Sequence, residues 1–198
     1  MSYPTIILLR HGQTEWNLES RYQGQLDSPL TPKGKEEAKM NALTVAKHFN
    51  VDDASIKIFS SPLGRAKAST LILCETLGID KDRVIFEENL QELHYGILEG
   101  KTKAECQMYY ALEFAKREAD KWSYRIEGGE SYKMVFARLY SWLERIGNEK
   151  IVIVVAHEMI NRALRGLYTD VDHSTMFALR QPNDVVIKLE NGKESIVN

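Results

Sequence analysis

The sequence predicts an α/β fold, a three-layer α/β/α sandwich on a mostly parallel central sheet. Thr5 to Leu9 and Ile151 to Ala156 are continuous apolar runs rather than alternating ones, the pattern of strands covered on both faces by helices. Around them, shorter strand candidates alternate with helical segments, with no internal repeat or low-complexity linker.

In chain order, Thr5 to Leu9 opens the sheet. Thr31-Pro32 then starts a helix, a capping hydroxyl followed by proline at the first helical position, and Lys33 to His48 continues it. Lys57 to Ser60 is a short strand. Ser61-Pro62 repeats the capping device for a helix to Leu77 that Gly78 closes. Arg83 to Phe86 is a further strand. Helices are expected from Lys101 to Glu118, Ser131 to Arg145 and Met159 to Arg165, with Ile151 to Ala156 the second central strand and Asp184 to Glu190 the last.

With 198 residues, 43% hydrophobic and 27% charged, residues 1–198 are expected to form one domain with a sizeable core. A formal net charge of -2, its acids and bases interspersed, gives no electrostatic reason to expect nucleic acid or an anionic membrane, so an anion site must be local. Cys74 and Cys106 form no CxxC pair. That argues against a disulfide framework or zinc ribbon and for a reduced, cytoplasmic setting. The apolar run Ile6 to Leu9 is too short for a membrane span or signal-peptide core and lacks a basic lead-in. Helix faces alone leave the oligomeric state open.

Ligands of open α/β sheets bind beyond the carboxyl ends of the strands. "IILLRH" delivers Arg10 and His11 there, and "VIVVAH" delivers His157. If the two strands are parallel neighbours, both imidazoles share a crevice. Either histidine alone would read as structural; the pair at equivalent places argues for chemistry. "HEMIN" resembles the start of a zinc-protease HExxH, but the fourth position after His157 is Asn161, so the second ligand is missing. "HYGILEGKT" resembles a phosphate loop, but Gly96 and Gly100 enclose only Ile97, Leu98 and Glu99. "GLYTDVDHST" lacks the ligand spacing of a calcium loop and reads as a solvated loop. No metal or cofactor is expected.

"LLRHGQTEWN" (Leu8 to Asn17) is the most specific stretch. It resembles the signature of the histidine phosphatase superfamily, in its phosphoglycerate mutase-like branch. "RYQGQLDSPLTPKGKEEA" (Arg21 to Ala38), "FSSPLGRAKAST" (Phe59 to Thr70), "LQELHYGILEG" (Leu90 to Gly100), "EGGES" (Glu127 to Ser131) and "VVAHEMINRALRG" (Val154 to Gly166) resemble successive family blocks in order. The resemblance covers nearly the whole chain and implies a phosphoglycerate mutase-like three-layer fold.

It also implies roles that suit phosphoryl transfer, which needs an in-line nucleophile and donors around the equatorial oxygens. His11 would carry a covalent phosphohistidine. Arg10 and Arg65 match the family's phosphate-binding arginines, whose planar forks suit such oxygens. His157 matches its second active-site histidine, a donor to the same oxygens, and Asn17 a further polar contact. Glu92 matches the proton donor that afterwards activates water. Gln23, Gly24 and Tyr95 are expected at the substrate mouth, with Gly12 leaving room for the turn or the phosphate. Tyr95, Leu98, Met159 and Tyr168 are candidates for an apolar pocket wall or for core.

The expected function is hydrolysis of small phosphorylated metabolites. The alternative is a phosphoglycerate mutase, whose relatives follow "HYGILEG" with Trp-Arg-Arg-Ser-Tyr. Here "DKWSY" keeps Trp122, Ser123 and Tyr124 without the arginine pair, although Arg21, Arg117 or Arg125 could supply cations. A second alternative is a non-catalytic phosphate-ester binding module. Glu158 motivates it, standing where the family usually has a small residue, because a carboxylate facing the phosphate would repel it. The reading preferred here is a Glu158 that turns to the surface and pairs with Arg162 one helical turn on.

Overall fold

The computed structural model describes residues 3–51, 53 and 55–197. Its strands are β1 (Thr5–Arg10), β2 (Lys57–Ser60), β3 (Val84–Phe86), β4 (Ile151–Ala156), β5 (Val186–Glu190) and β6 (Lys193–Val197). They form one sheet in the order β3-β2-β4-β1-β5-β6. The first four in that order run parallel, and β5 and β6 close the edge antiparallel. β1 and β4 are direct neighbours in register, from Thr5 opposite Ile151 to Arg10 opposite Ala156.

The helices are α1 (Glu15–Leu18), α2 (Pro32–His48), α3 (Gly64–Leu77), α4 (Lys103–Tyr109), α5 (Ala111–Ala119), α6 (Tyr132–Arg145), α7 (Glu158–Thr169) and α8 (His173–Ala178). Because side chains alternate across a strand, the unbroken apolar runs feed two cores. Ile6, Leu8, Val152 and Val154 pack against Leu139 and Trp142 of α6 and Ala163 and Leu164 of α7. Ile7, Leu9, Ile153 and Val155 pack against Ala42 and Val45 of α2 and Leu73 of α3. The expected three layers are present. Among the described residues no helix is long and apolar enough to cross a membrane.

Several expected elements are corrected. Thr31 caps α2 through Gly34 N as expected, but Ser61 caps no helix. α3 begins at Gly64 behind Leu63, which offers no capping side chain. The Asp27 carboxylate, from a separate loop, accepts from Gly64 N and Arg65 N instead. The helix expected over Lys101 to Glu118 is two, because Tyr110 adopts φ -130°, ψ 35° between α4 and α5. The loop expected at "GLYTDVDHST" contains the start of α8, capped by Asp172 on Thr175 N. The short α1, with a Thr14–Asn17 capping box, was not anticipated. Nor was β6, which Asn191 and Gly192, both at positive φ, join to β5.

Candidate active site

The ends of β1 and β4 place His11 and His157 side by side. The strand ladder extends one step to His11 N donating to Ala156 O, and the imidazole centroids lie 5.1 Å apart. Both rings are buried, at 3% and 0% exposure. The partner of His11 fixes its tautomer. His11 Nδ1 lies 2.8 Å from Gly12 O, which can only accept, so Nδ1 carries the hydrogen and the Nε2 lone pair is free. His157 Nε2 lies 2.7 Å from Ser61 Oγ. Ser61 Oγ accepts from Leu63 N and can turn its hydroxyl hydrogen to Nε2, the arrangement that leaves His157 Nδ1 as the donor. Burial, reinforced by Arg65 and Arg10, pushes His11 well below the ordinary imidazole range. Burial pushes His157 the same way, with Arg65 and His11 adding to it. Both rings are therefore held neutral.

A cavity of about 190 Å³ opens over His11, lined by Arg10, Asn17, Gln23, Gly24, Arg65, Glu92 and Tyr95 among others. Every residue expected in a catalytic or substrate-binding role lies on this lining except His157, whose ring packs against that of His11. Arg65 is 2% exposed and held from one side: Nη1 donates to Leu26 O and Asp27 Oδ1, and Nη2 to Gly24 O. Arg10 Nη1 donates to Gln181 O. What remains unpartnered is informative. Among the described residues, Arg10 Nε, Arg65 Nε and His157 Nδ1 are buried without an acceptor, as is Trp142 Nε1 in the core, and Gln23 Oε1 on the cavity lining has no donor. The first three are in a costly state that an anion would complete.

Glu92 stands on the same lining at 8% exposure. Its carboxylate accepts from Leu93 N through Oε1 and from Met159 N, in the first turn of α7, through Oε2. Burial raises its pKa against the opposing pull of those hydrogen bonds and of Arg65, the direction that keeps a proton available for donation. Asn17 commits Oδ1 to Thr14 N and Thr14 Oγ1, which leaves its amide hydrogens for the cavity. Tyr95 and Met159 line the cavity, whereas Leu98 is core and Tyr168 donates to Pro4 O.

Two glycines have steric reasons. A Cβ on Gly12 would come within 1.9 Å of Gly34 O, so it is the start of α2, rather than the phosphate, that demands glycine there. Gly24 sits at φ +53° while its carbonyl receives Arg65.

Sequence reasoning missed the residues that hold these groups. Ser61 bonds His157 Nε2, Asp27 fixes Arg65, and Asn183 Nδ2 donates to His11 O. Arg138 of α6 donates through Nη2 to Gln91 O and Glu92 O and pairs with Glu130, whose Oε2 accepts from His94 N. That arrangement clamps the Glu92 segment, and Glu130 in "EGGES" was its only visible trace. Asn161 donates to Leu9 O and Gln181 Oε1, tying α7 to β1 where HExxH has a ligand.

Glu158 corrects an expectation. It pairs with Arg162 across one turn, 3.1 Å, as expected. It does not turn to the surface: it lines the cavity, with Oε2 2.9 Å from Arg10 Nη1.

The model of the histidine phosphatase superfamily (branch 1) matches residues 6–197. The human 6-phosphofructo-2-kinase/fructose-2,6-bisphosphatase 4 is 33% identical over 185 residues, 93% of this chain but 37% of that protein; the chain thus spans little more than a third of such relatives. Phosphoserine phosphatase 1 of Hydrogenobacter thermophilus is 31% identical over 87% of this chain and 80% of its own. Among solved structures, a mycobacterial glucosyl-3-phosphoglycerate phosphatase complexed with VO3 aligns over 98% of this chain and 96% of its own, at a TM-score of 0.80 and 27% identity.

Proposed function

The chain belongs to the histidine phosphatase superfamily, and from that premise we propose that it is a hydrolase of small phosphomonoesters working through a covalent phosphohistidine. His11 Nε2 attacks phosphorus in line, and the leaving alkoxide takes its proton from Glu92. Glu92, now ionised, draws a proton from the water that attacks phosphohistidine, and phosphate leaves with both groups restored. Arg10, Arg65, Asn17 and His157 hold the three equatorial oxygens, Gln23 and Gly24 border them, and Tyr95 walls the mouth.

The observation that carries this reading is the set of unpartnered buried donors, Arg10 Nε, Arg65 Nε and His157 Nδ1, around an imidazole whose Nε2 is free. A neutral His11 is the nucleophilic form, and its neighbours keep it so. Hydrolysis is favoured over a mutase because the candidate second clamp is occupied elsewhere. Trp122 stacks on His173, Tyr124 bonds Glu113, Arg125 Nε donates to Gly129 O and Arg117 pairs with Glu118. Arg21 alone of those cations lines the cavity, and it is tied to Glu19, Glu105 and Gly100 O.

The test is to incubate the protein with chelator and a panel of phosphomonoesters, and separately with 3-phosphoglycerate primed by bisphosphoglycerate. Phosphate release undiminished by chelator is expected. Isomerisation faster than release would replace the hydrolase by a mutase, and tight ester binding without turnover would replace it by a binding module.

A further inference from the structure

The Glu158 carboxylate sits where an anion-binding pocket has least use for one. Oε2 is 2.9 Å from Arg10 Nη1, and Oε1 is 3.1 Å from Arg162 Nη2 and 3.4 Å from Arg180 Nη1. Arg162 has structural duties besides: Nε donates to Leu179 O and Nη1 to Tyr132 Oη. Arg180 reaches Glu158 from an exposed position, its side chain 70% exposed. The contact on Arg10 uses Nη1, which also donates to Gln181 O, and leaves Nε without a partner among the described residues. Glu158 thus engages the guanidinium through a nitrogen other than the unpartnered one and offsets part of its charge.

The location of Glu158 along the reaction axis follows from Glu92. The leaving oxygen departs opposite His11, toward Glu92, and Glu92 Oε2 is bonded to Met159 N, the residue after Glu158. The leaving group therefore emerges past the first turn of α7, where the Glu158 side chain is 21% exposed and on the cavity wall. A carboxylate or second phosphate on that group would meet Glu158. Arg180, an exposed cation, is already engaged by the same carboxylate.

We infer that Glu158 is a specificity-determining residue: an internal anion that competes with the phosphoryl group for Arg10 and disfavours substrates whose leaving group carries its own negative charge. Neutral, hydroxyl-bearing leaving groups are the class this pocket accepts. The inference rests on the phosphohydrolase reading for its substrate arm and on the ion-pair geometry alone for its binding arm.

Two measurements test it on wild type and Glu158→Gln. Calorimetric titration with inorganic phosphate needs no turnover, and the variant should bind about tenfold more tightly, the worth of one charge-assisted contact. The second is the ratio of kcat/KM for glycerol 3-phosphate to that for 3-phosphoglycerate, which differ by a hydroxymethyl against a carboxylate. Wild type should favour the former, and the variant should shrink the ratio by about tenfold. Phosphate binding that is unchanged or weaker in the variant would mean that Glu158 merely orients Arg10 and would overturn the inference, as would an unmoved ratio. Glu158→Asp keeps the charge but withdraws it from Arg10, and should move both readouts the same way by a smaller factor; it serves should Glu158→Gln fail to fold. If wild type hydrolyses neither ester, the substrate arm of the inference fails, while the phosphate titration still decides whether Glu158 competes for Arg10 and the phosphomonoester panel still decides the phosphohydrolase reading.

Discussion

The floor and the rim of the pocket are held by different means. At the floor, the groups proposed to react and to bind the anion are fixed largely by backbone. His11 is set by Gly12 O and Ala156 O, Arg65 by Leu26 O and Gly24 O, and Glu92 by Leu93 N and Met159 N. At the rim, charged side chains are held mainly by other charged side chains: Glu158 by three arginines, and Arg21 by Glu19 and Glu105. Backbone partners cannot be exchanged by evolution without changing the fold, whereas an ion-pair network changes with one substitution. On the proposed function the floor serves phosphoryl transfer, and the rim is the place where substrate choice is set.

The comparison breaks most visibly at the nucleophile. His11→Ala should lower turnover on the order of 10⁴-fold or more, measured with any good substrate; a loss under tenfold would remove His11 from the centre of the floor. Glu92→Gln comes next, with a loss of roughly 10²- to 10⁴-fold that is greatest for poor leaving groups. Its pH profile sharpens the assignment. The phosphorylation step needs His11 neutral and Glu92 protonated. Because His11 is held well below its ordinary 6.5, the acid limb of kcat/KM should fall well under that value. Because Glu92 is raised above its ordinary 4.5, activity should persist above that value and decline as pH rises through the elevated pKa. The Gln variant should lose this alkaline limb, and a limb that survives in it belongs to another group.

The supporting contacts come after. Ser61→Ala removes the hydroxyl whose bond to Nε2 leaves His157 Nδ1 as the donor, and about a tenfold fall in kcat is expected with KM little changed. Asp27→Asn weakens the tether on Arg65 and on the start of α3. Because the Asp27 side chain is partly exposed, the effect should be smaller, about a fivefold rise in KM. Equal effects from all four substitutions would mean that the floor and its supports are not separable.

The same division governs what could be read from the chain. The positions of His11 and His157 follow from two apolar runs that end in histidine, since buried parallel strands deliver their carboxyl ends to one crevice. Ser61 was misread because Ser-Pro before a helix is ordinarily a cap; nothing local announces that Asp27 takes over that task and frees Ser61 for His157. The break at Tyr110 carries no glycine or proline, and the cost of interrupting the helix is met by burying Cys106 and Phe114 on either side. β6 was missed although Asn191-Gly192 is a hairpin signal, because the polar Lys193, Glu194 and Ser195 that follow obscure the strand. Glu158 could be paired with Arg162 from helical spacing alone. Its contacts with Arg10 and Arg180 depend on segments that meet only in the folded chain, which is why a surface position seemed sufficient.

The central claim, that His11 becomes phosphorylated during turnover, is tested most directly by rapid quenching of the enzyme with a radiolabelled phosphomonoester. Wild type should yield an acid-labile, alkali-stable phosphoenzyme whose label maps to the peptide containing His11, and His11→Ala should yield none. Turnover in wild type without any such label, or label that persists in His11→Ala, would contradict the account.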